Sequence, residues 1–122
     1  MNNHISQVEV RTKRADVAEA EIWVSISAEH ITPTTELRGR WVGPKCPGVT
    51  TIEVAYPLRP FARMPAELTG LAGRVVIPEP NLWEPGCPLV YDGIIELWQD
   101  GQRCDWRQVQ GYRLLTVSSA AH

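Results

Sequence analysis

Four carboxylates late in the chain have the types and spacing that could do chemistry. Glu79 and Glu84 flank a proline-rich stretch, and Asp92 and Glu96 follow it on one strand-like run. Two carboxyl groups held about 5–5.5 Å apart hydrolyse a glycosidic bond with retention, one as acid and one as nucleophile. Glu79 and Glu84 read instead as exposed loop charges, since nothing around them fixes their geometry. Asp92 and Glu96 share the polar phase of their run with Trp98, as on a solvated or domain-facing side. His30 lies beside a loop and has no partner in the pattern. Cys46, Cys87 and Cys104 form no Cys-x-x-Cys unit and stand far in sequence from the histidines, which argues against zinc. Three cysteines cannot all pair within one chain. A Cys87–Cys104 bridge stays open, but the expectation is three reduced thiols, partly buried as small apolar groups. No nucleophile-elbow, zincin, phosphate-loop or dinucleotide pattern occurs. No catalytic, cofactor-binding or metal-binding residue is therefore assigned, and no cofactor is expected.

Aromatic residues carry the other chemistry. Trp23, Trp98 and Trp106 each fall on or near the polar phase of a run, so each is expected to point outward. Exposed indoles cover a domain interface, stack on sugars, or are ordinary surface. All three readings stay open from the residues alone. Trp83 lies between prolines and next to Leu82, where it is expected to plug the open end of a sandwich, a burial worth about 2–3 kcal/mol.

The elements that must position these residues are strands. Ala20, Ile22, Val24 and Ile26 alternate with Glu21, Trp23, Ser25 and Ser27, the period of a half-buried strand. Val8 and Val10 form a shorter run that ends in the polar turn Arg11-Thr12-Lys13-Arg14. Leu37, Gly39 and Trp41 alternate with Arg38 and Arg40, and Ile52, Val54 and Tyr56 continue the pattern after the Gly/Pro turn at 43–48. Residues 57–73 read as an irregular crossover with one helical turn at most, at 66–71. Val75 and Ile77 make a short strand. Tyr91, Gly93, Ile95 and Leu97 then face one way, and Asp92, Ile94, Glu96 and Trp98 the other. Asp100-Gly101 is a type I′ hairpin signal, because both positions need φ > 0. The last strand runs from Gln102 to Tyr112. The fold class is all-β, an immunoglobulin-like antiparallel sandwich of about seven strands.

The 122 residues are expected to form one domain, with 1–5 and 117–122 as flexible tails. A net charge of −2 gives no electrostatic footprint for nucleic acid. No run approaches the roughly 18 apolar residues of a membrane span. The amino terminus lacks the features of a signal peptide, so a cytoplasmic setting is expected. The oligomeric state is left open.

One stretch carries a resemblance. Pro80-Asn81-Leu82-Trp83-Glu84-Pro85-Gly86-Cys87-Pro88-Leu89-Val90-Tyr91 resembles the corner of the immunoglobulin-like sandwich that precedes the catalytic barrel in glycoside hydrolase family 2, the β-galactosidase, β-glucuronidase and β-mannosidase group. In that family the corner reads roughly Pro-x-Leu-Trp-x-Pro-x-x-Pro-x-Leu-Tyr. Leu82, Trp83, Pro85, Pro88 and Tyr91 occupy its marked positions. Gln110-Gly111-Tyr112-Arg113 is similar to the Phe-Gly-Phe-Arg-like motif that enters the barrel, with Gln110 departing from the usual aromatic. The match is strongest over Arg74–Arg113. It implies a non-catalytic module that orients a barrel absent from this chain, with neighbouring glycosidase domains as partners. The alternative is a free-standing module that binds carbohydrate or protein through its exposed tryptophans.

Overall fold

The computed structural model describes residues 3–117. Its alternating runs form eight strands: β1 (Ile5–Ala15), β2 (Glu19–Ala28), β3 (Thr35–Lys45), β4 (Val54–Pro57), β5 (Arg59–Pro60), β6 (Leu71–Pro78), β7 (Val90–Gln99) and β8 (Gln102–Tyr112). They make two antiparallel sheets, β1-β2-β6-β5 and β4-β3-β7-β8. This is the A-B-E-D and C-F-G arrangement of an immunoglobulin-like sandwich, with β4 added beside β3. No helix occurs among the described residues.

Period two explains the core. Ala20, Ile22, Val24 and Ile26 of β2 turn inward and meet Tyr91, Ile95 and Leu97 of β7 in one buried cluster. Each large aliphatic side chain so buried contributes about 1.5–3 kcal/mol. Trp41 is fully buried on β3, directly opposite Gly93 on β7. A Cβ on Gly93 would stand 2.7 Å from the Trp41 ring, so only glycine lets the indole lie across the neighbouring strand. Antibody sandwiches place a disulfide cysteine two residues after the corner tyrosine. Gly93 holds that position here, and the indole fills the space. Tyr112 closes the aromatic pair edge-on, 5.8 Å from Trp41.

Several expectations need correction. Arg11–Arg14 is not a turn: β1 continues to Ala15, and the turn is residues 16–18. Asp16 organises that turn by accepting the amides of Ala18 and Glu19 at 2.8 and 2.9 Å. The Glu19 amide, then those of Ala18 and the Arg14 side chain, hold its carboxyl below the ordinary range. The run at 51–56 becomes a strand only from Val54, and Ile52 stands 90% exposed. The crossover expected at 57–73 holds one turn, closed by the Leu68 amide on Pro65 O at 3.1 Å, but it also contains β5, and Leu71 already begins β6. The expected loose ends are partly packed. Asn3 is fully buried, Ile5 opens β1, and Val117 exchanges two backbone bonds with Ala15. The expected frayed tail at 118–122 and residues 1–2 lie outside the described residues. The hairpin at Asp100-Gly101 has φ of 52° and 77°, as its sequence demands.

Candidate functional site

The corner joins β6 to β7 across one end of the sandwich. Tyr91, fully buried, aims its hydroxyl back up the chain, where it accepts the Asn81 amide at 3.0 Å. A tyrosine near the start of this strand bonding to upstream backbone is the tyrosine corner of immunoglobulin-like sandwiches. Leu82 packs against the core. Trp83 is half-buried, donates its amide to Leu114 O at 2.8 Å, and carries the Arg113 guanidinium 4.4 Å over its ring. Glu84 and Cys87 exchange backbone bonds around the exposed Pro85-Gly86 turn, and Pro88 is exposed beside them.

The chain leaves β8 at this same end, and it is tied down. Gly111, at φ 63°, donates its amide to Asp92 Oδ1 at 2.9 Å, and Lys45 Nζ sits 3.0 Å from Asp92 Oδ2. Burial pushes the Asp92 carboxyl up, but the Gly111 amide and Lys45 outweigh it and leave it below the usual carboxylate range. Asp92 in turn raises Lys45. The Tyr112 hydroxyl lies 2.7 Å from Thr12 Oγ1, and burial raises its pKa. Leu114 is fully buried. The sequence motif 110–113 is thus the hinge between β8 and a segment locked under the corner.

Around these locks two apolar side chains stand bare among polar ones. Val17 is 81% exposed in the β1–β2 turn and Leu115 is half exposed beside buried Leu114. Val17, Pro80, Leu82 and Leu89 line a shallow depression of about 280 Å³ together with Asn81, Glu84 and Cys87. Sequence reasoning missed Val17 and Leu115. The available signal was a lone valine in a turn otherwise made of Asp and Ala, and a second leucine after the strand's end.

The three outward tryptophans do not share a surface. Trp23 pairs with Arg74 on the outer face of one sheet, whereas Trp98 and Trp106 lie on the outer face of the other, where Trp106 faces Glu96 across the ladder. Cations cap two of them. Lys13 and Arg11 stand 4.4 and 5.0 Å over Trp23, with Phe61 edge-on at 5.2 Å. Arg38 stands 4.0 Å over Trp98. Their indole N–H groups are bonded to Glu21 and Glu96. Trp106 is 49% exposed and has no such cap among the described residues.

The carboxylates are brought together with cations rather than with each other. Asp92 is held by Lys45, and Glu96 by Arg103 at 3.1 Å. Glu79 and Glu84 are exposed. The His30 backbone bonds to Asn3 while its side chain is exposed. Among the described residues no His, Cys, Asp and Glu group is arranged to hold a metal ion. All three cysteines are free. Cys104 packs against the core, but Cys87 is exposed in the corner, contrary to the expectation of partial burial.

No protein-family model matches the sequence, and no curated protein matches it. Solved structures do. A glycosyl hydrolase family 2 member from Bacteroides cellulosilyticus aligns with a TM-score of 0.60 and 22% identity, over 88% of this chain and 14% of that one. The β-glucuronidase of Bifidobacterium dentium aligns at 0.57 and 18%, over 88% of this chain and 18% of its own. A β-glycosidase from Bacteroides vulgatus aligns at 0.55 and 20%, over 88% and 13%. At these identities the likeness shows a common fold. The chain spans less than a fifth of the length of each of these three structures.

Proposed function

We propose that this chain is a non-catalytic β-sandwich module of a glycoside hydrolase family 2-like enzyme, seated by its corner end against a neighbouring domain and orienting the catalytic barrel. The observation that carries this reading is the coincidence of three things at one end: exposed apolar side chains at Val17 and Leu115, a proline corner and the locked exit of the chain. The fold recurs as a minor part of much longer glycosidases, which supports a modular role. The corner and the Gly111-Tyr112-Arg113 segment resemble that family's own junction. Three free thiols accord with a reducing, cytoplasmic setting.

An uncovered interface promotes weak self-association of the isolated chain. Sedimentation should therefore show concentration-dependent association that Val17→Ser with Leu115→Ser abolishes without loss of melting temperature. Unchanged association in that double variant would remove the corner end as an interface. The isolated chain should also hydrolyse no aryl glycoside above background, and turnover lost on Glu79→Gln or Glu84→Gln would overturn the non-catalytic reading. Trp106 supports a second reading, a free-standing carbohydrate-binding module, because its ring is uncovered. Saturable shifts of its indole N–H with an oligosaccharide would favour that reading.

A further inference from the structure

One row across the outer face of the β1-β2-β6-β5 sheet holds three arginines and no carboxylate. Arg11 faces Trp23, Trp23 faces Arg74, and Arg74 faces Arg59 in successive ladders. Neighbouring strands stand about 4.8 Å apart, and like charges directly opposite are destabilising. Arg11 is relieved by Glu67 at 3.5 Å and lies 5.0 Å over the Trp23 ring. The Arg59–Arg74 pair has less relief. Glu21, from the next row, reaches Arg74 at 3.5 Å and also accepts the Trp23 indole N–H. Arg59 is exposed, and among the described residues no carboxylate lies within ion-pair distance of it.

The backbone keeps the two charges opposed. β5 is only Arg59–Pro60, and a Cβ on Gly73 would stand 2.5 Å from Arg59 O. Glycine at 73 therefore lets β5 lie close against β6. The Leu58 amide donates to Gly39 O at 2.9 Å on one side of Arg59, and the Phe61 amide to Ala72 O at 3.2 Å on the other. A segment bonded on both sides cannot swing its arginine away. Between the two arginines lies a pocket of about 260 Å³, walled by Pro57, Arg59, Arg74 and Val76. That is a little under the roughly 300 Å³ at which small-molecule sites begin, so it takes a small ligand or one group of a larger one. Proteins break a local rule such as cross-strand charge pairing chiefly at functional sites. A guanidinium fork matches the oxygens of a carboxylate or a phosphate. One fork fills a carboxylate's two oxygens, whereas the three free oxygens of a phosphate or sulfate group can face both forks.

We propose that Arg59 and Arg74 clamp a phosphate or sulfate group, free or as a small ester whose carbon part rests on Pro57 and Val76. The clamp uses no residue of the corner, so it stands whether or not the glycosidase reading holds. The test titrates the isotope-labelled chain with inorganic phosphate, phenyl phosphate or acetate, holding ionic strength constant with chloride. Both phosphates should shift the Arg59 and Arg74 side-chain Nε–H signals saturably and leave those of Arg40 and Arg63, which are also exposed, unmoved. Acetate should bind about tenfold more weakly, and Arg59→Gln should weaken phosphate binding about tenfold or more, as for losing one charged hydrogen-bonding partner. Tighter binding of phenyl phosphate than of inorganic phosphate would support the clamp with an ester as its ligand; equal binding would support it with the free anion. The proposal is overturned by no saturable shift at Arg59 and Arg74, by equal shifts at Arg40 and Arg63, or by phosphate binding that is unchanged in Arg59→Gln.

Discussion

The two ends of the sandwich are finished in different ways. Opposite the corner, side chains close the end on themselves. Asn3 donates to His30 O at 2.7 Å and accepts the His30 amide at 3.0 Å. Gln99 accepts from Thr35 at 2.7 Å and donates to Thr32 and Thr34 at 3.0 Å, and Thr34 donates to Asp100 at 2.6 Å. Ile31, half exposed, is the apolar exception there. At the corner end the backbone is equally well tied, yet Val17 and Leu115 are left bare. Satisfied polar groups at a protein's end face water without cost, whereas exposed apolar side chains gain only when something covers them. One end is closed by mutually bonded polar groups, and the other leaves apolar side chains bare.

Substitutions at the two ends sharpen this contrast. The largest effect belongs to Leu114→Ala, which empties a fully buried site under the corner and should cost about 2–5 kcal/mol in chemical denaturation. A loss below about 1 kcal/mol would mean that the exit segment is not part of the folded unit. Asn3→Ala should cost less, about 1–3 kcal/mol, by leaving the His30 amide and carbonyl without their partner. Hydrogen exchange should then quicken around residues 29–34 and stay unchanged at the corner; uniform quickening would deny that the ends are separable.

Acid gives the smallest effect. Asp92 at the corner and Asp105, which accepts the Ile5 amide at 2.8 Å near the other end, both have carboxyls below the ordinary range. For Asp105, burial raises the pKa, and the Ile5 and Trp106 amides with Arg107 outweigh it. A pKa depressed by folding adds stability above the unfolded value of about 3.9, and this is lost as pH falls through the folded value. Asp92→Asn should flatten the acid limb of the melting curve by about 1 kcal/mol or less. The Gly111 amide should at the same time cease to shift between pH 5 and 2. A Gly111 amide that still titrates in the variant would detach the exit lock from Asp92.

Much of the fold was legible because alternation is local. The inward faces of β2 and β7, the Asp100-Gly101 hairpin and the proline corner each follow from residues adjacent in sequence. Arg11–Arg14 misled for the same reason. A run of polar residues reads as a turn, yet here it continues β1, with Arg11 and Lys13 lying over Trp23 and reaching Glu67. Gly93 read as one more inward position, and only its pairing opposite Trp41 showed why no larger residue fits there.

The sequence by itself determined which side of its strand each residue takes, because side chains alternate at a period of two whatever the strand pairs with. Only the tertiary structure decided which sheet that strand joins. Trp23 was thereby separated from Trp98 and Trp106, Arg113 was laid over Trp83, and Val17 was brought beside Leu82. Strand pairing is settled by contacts between residues far apart in the chain. No local pattern encodes which distant strand or cation will stand next to a given side chain.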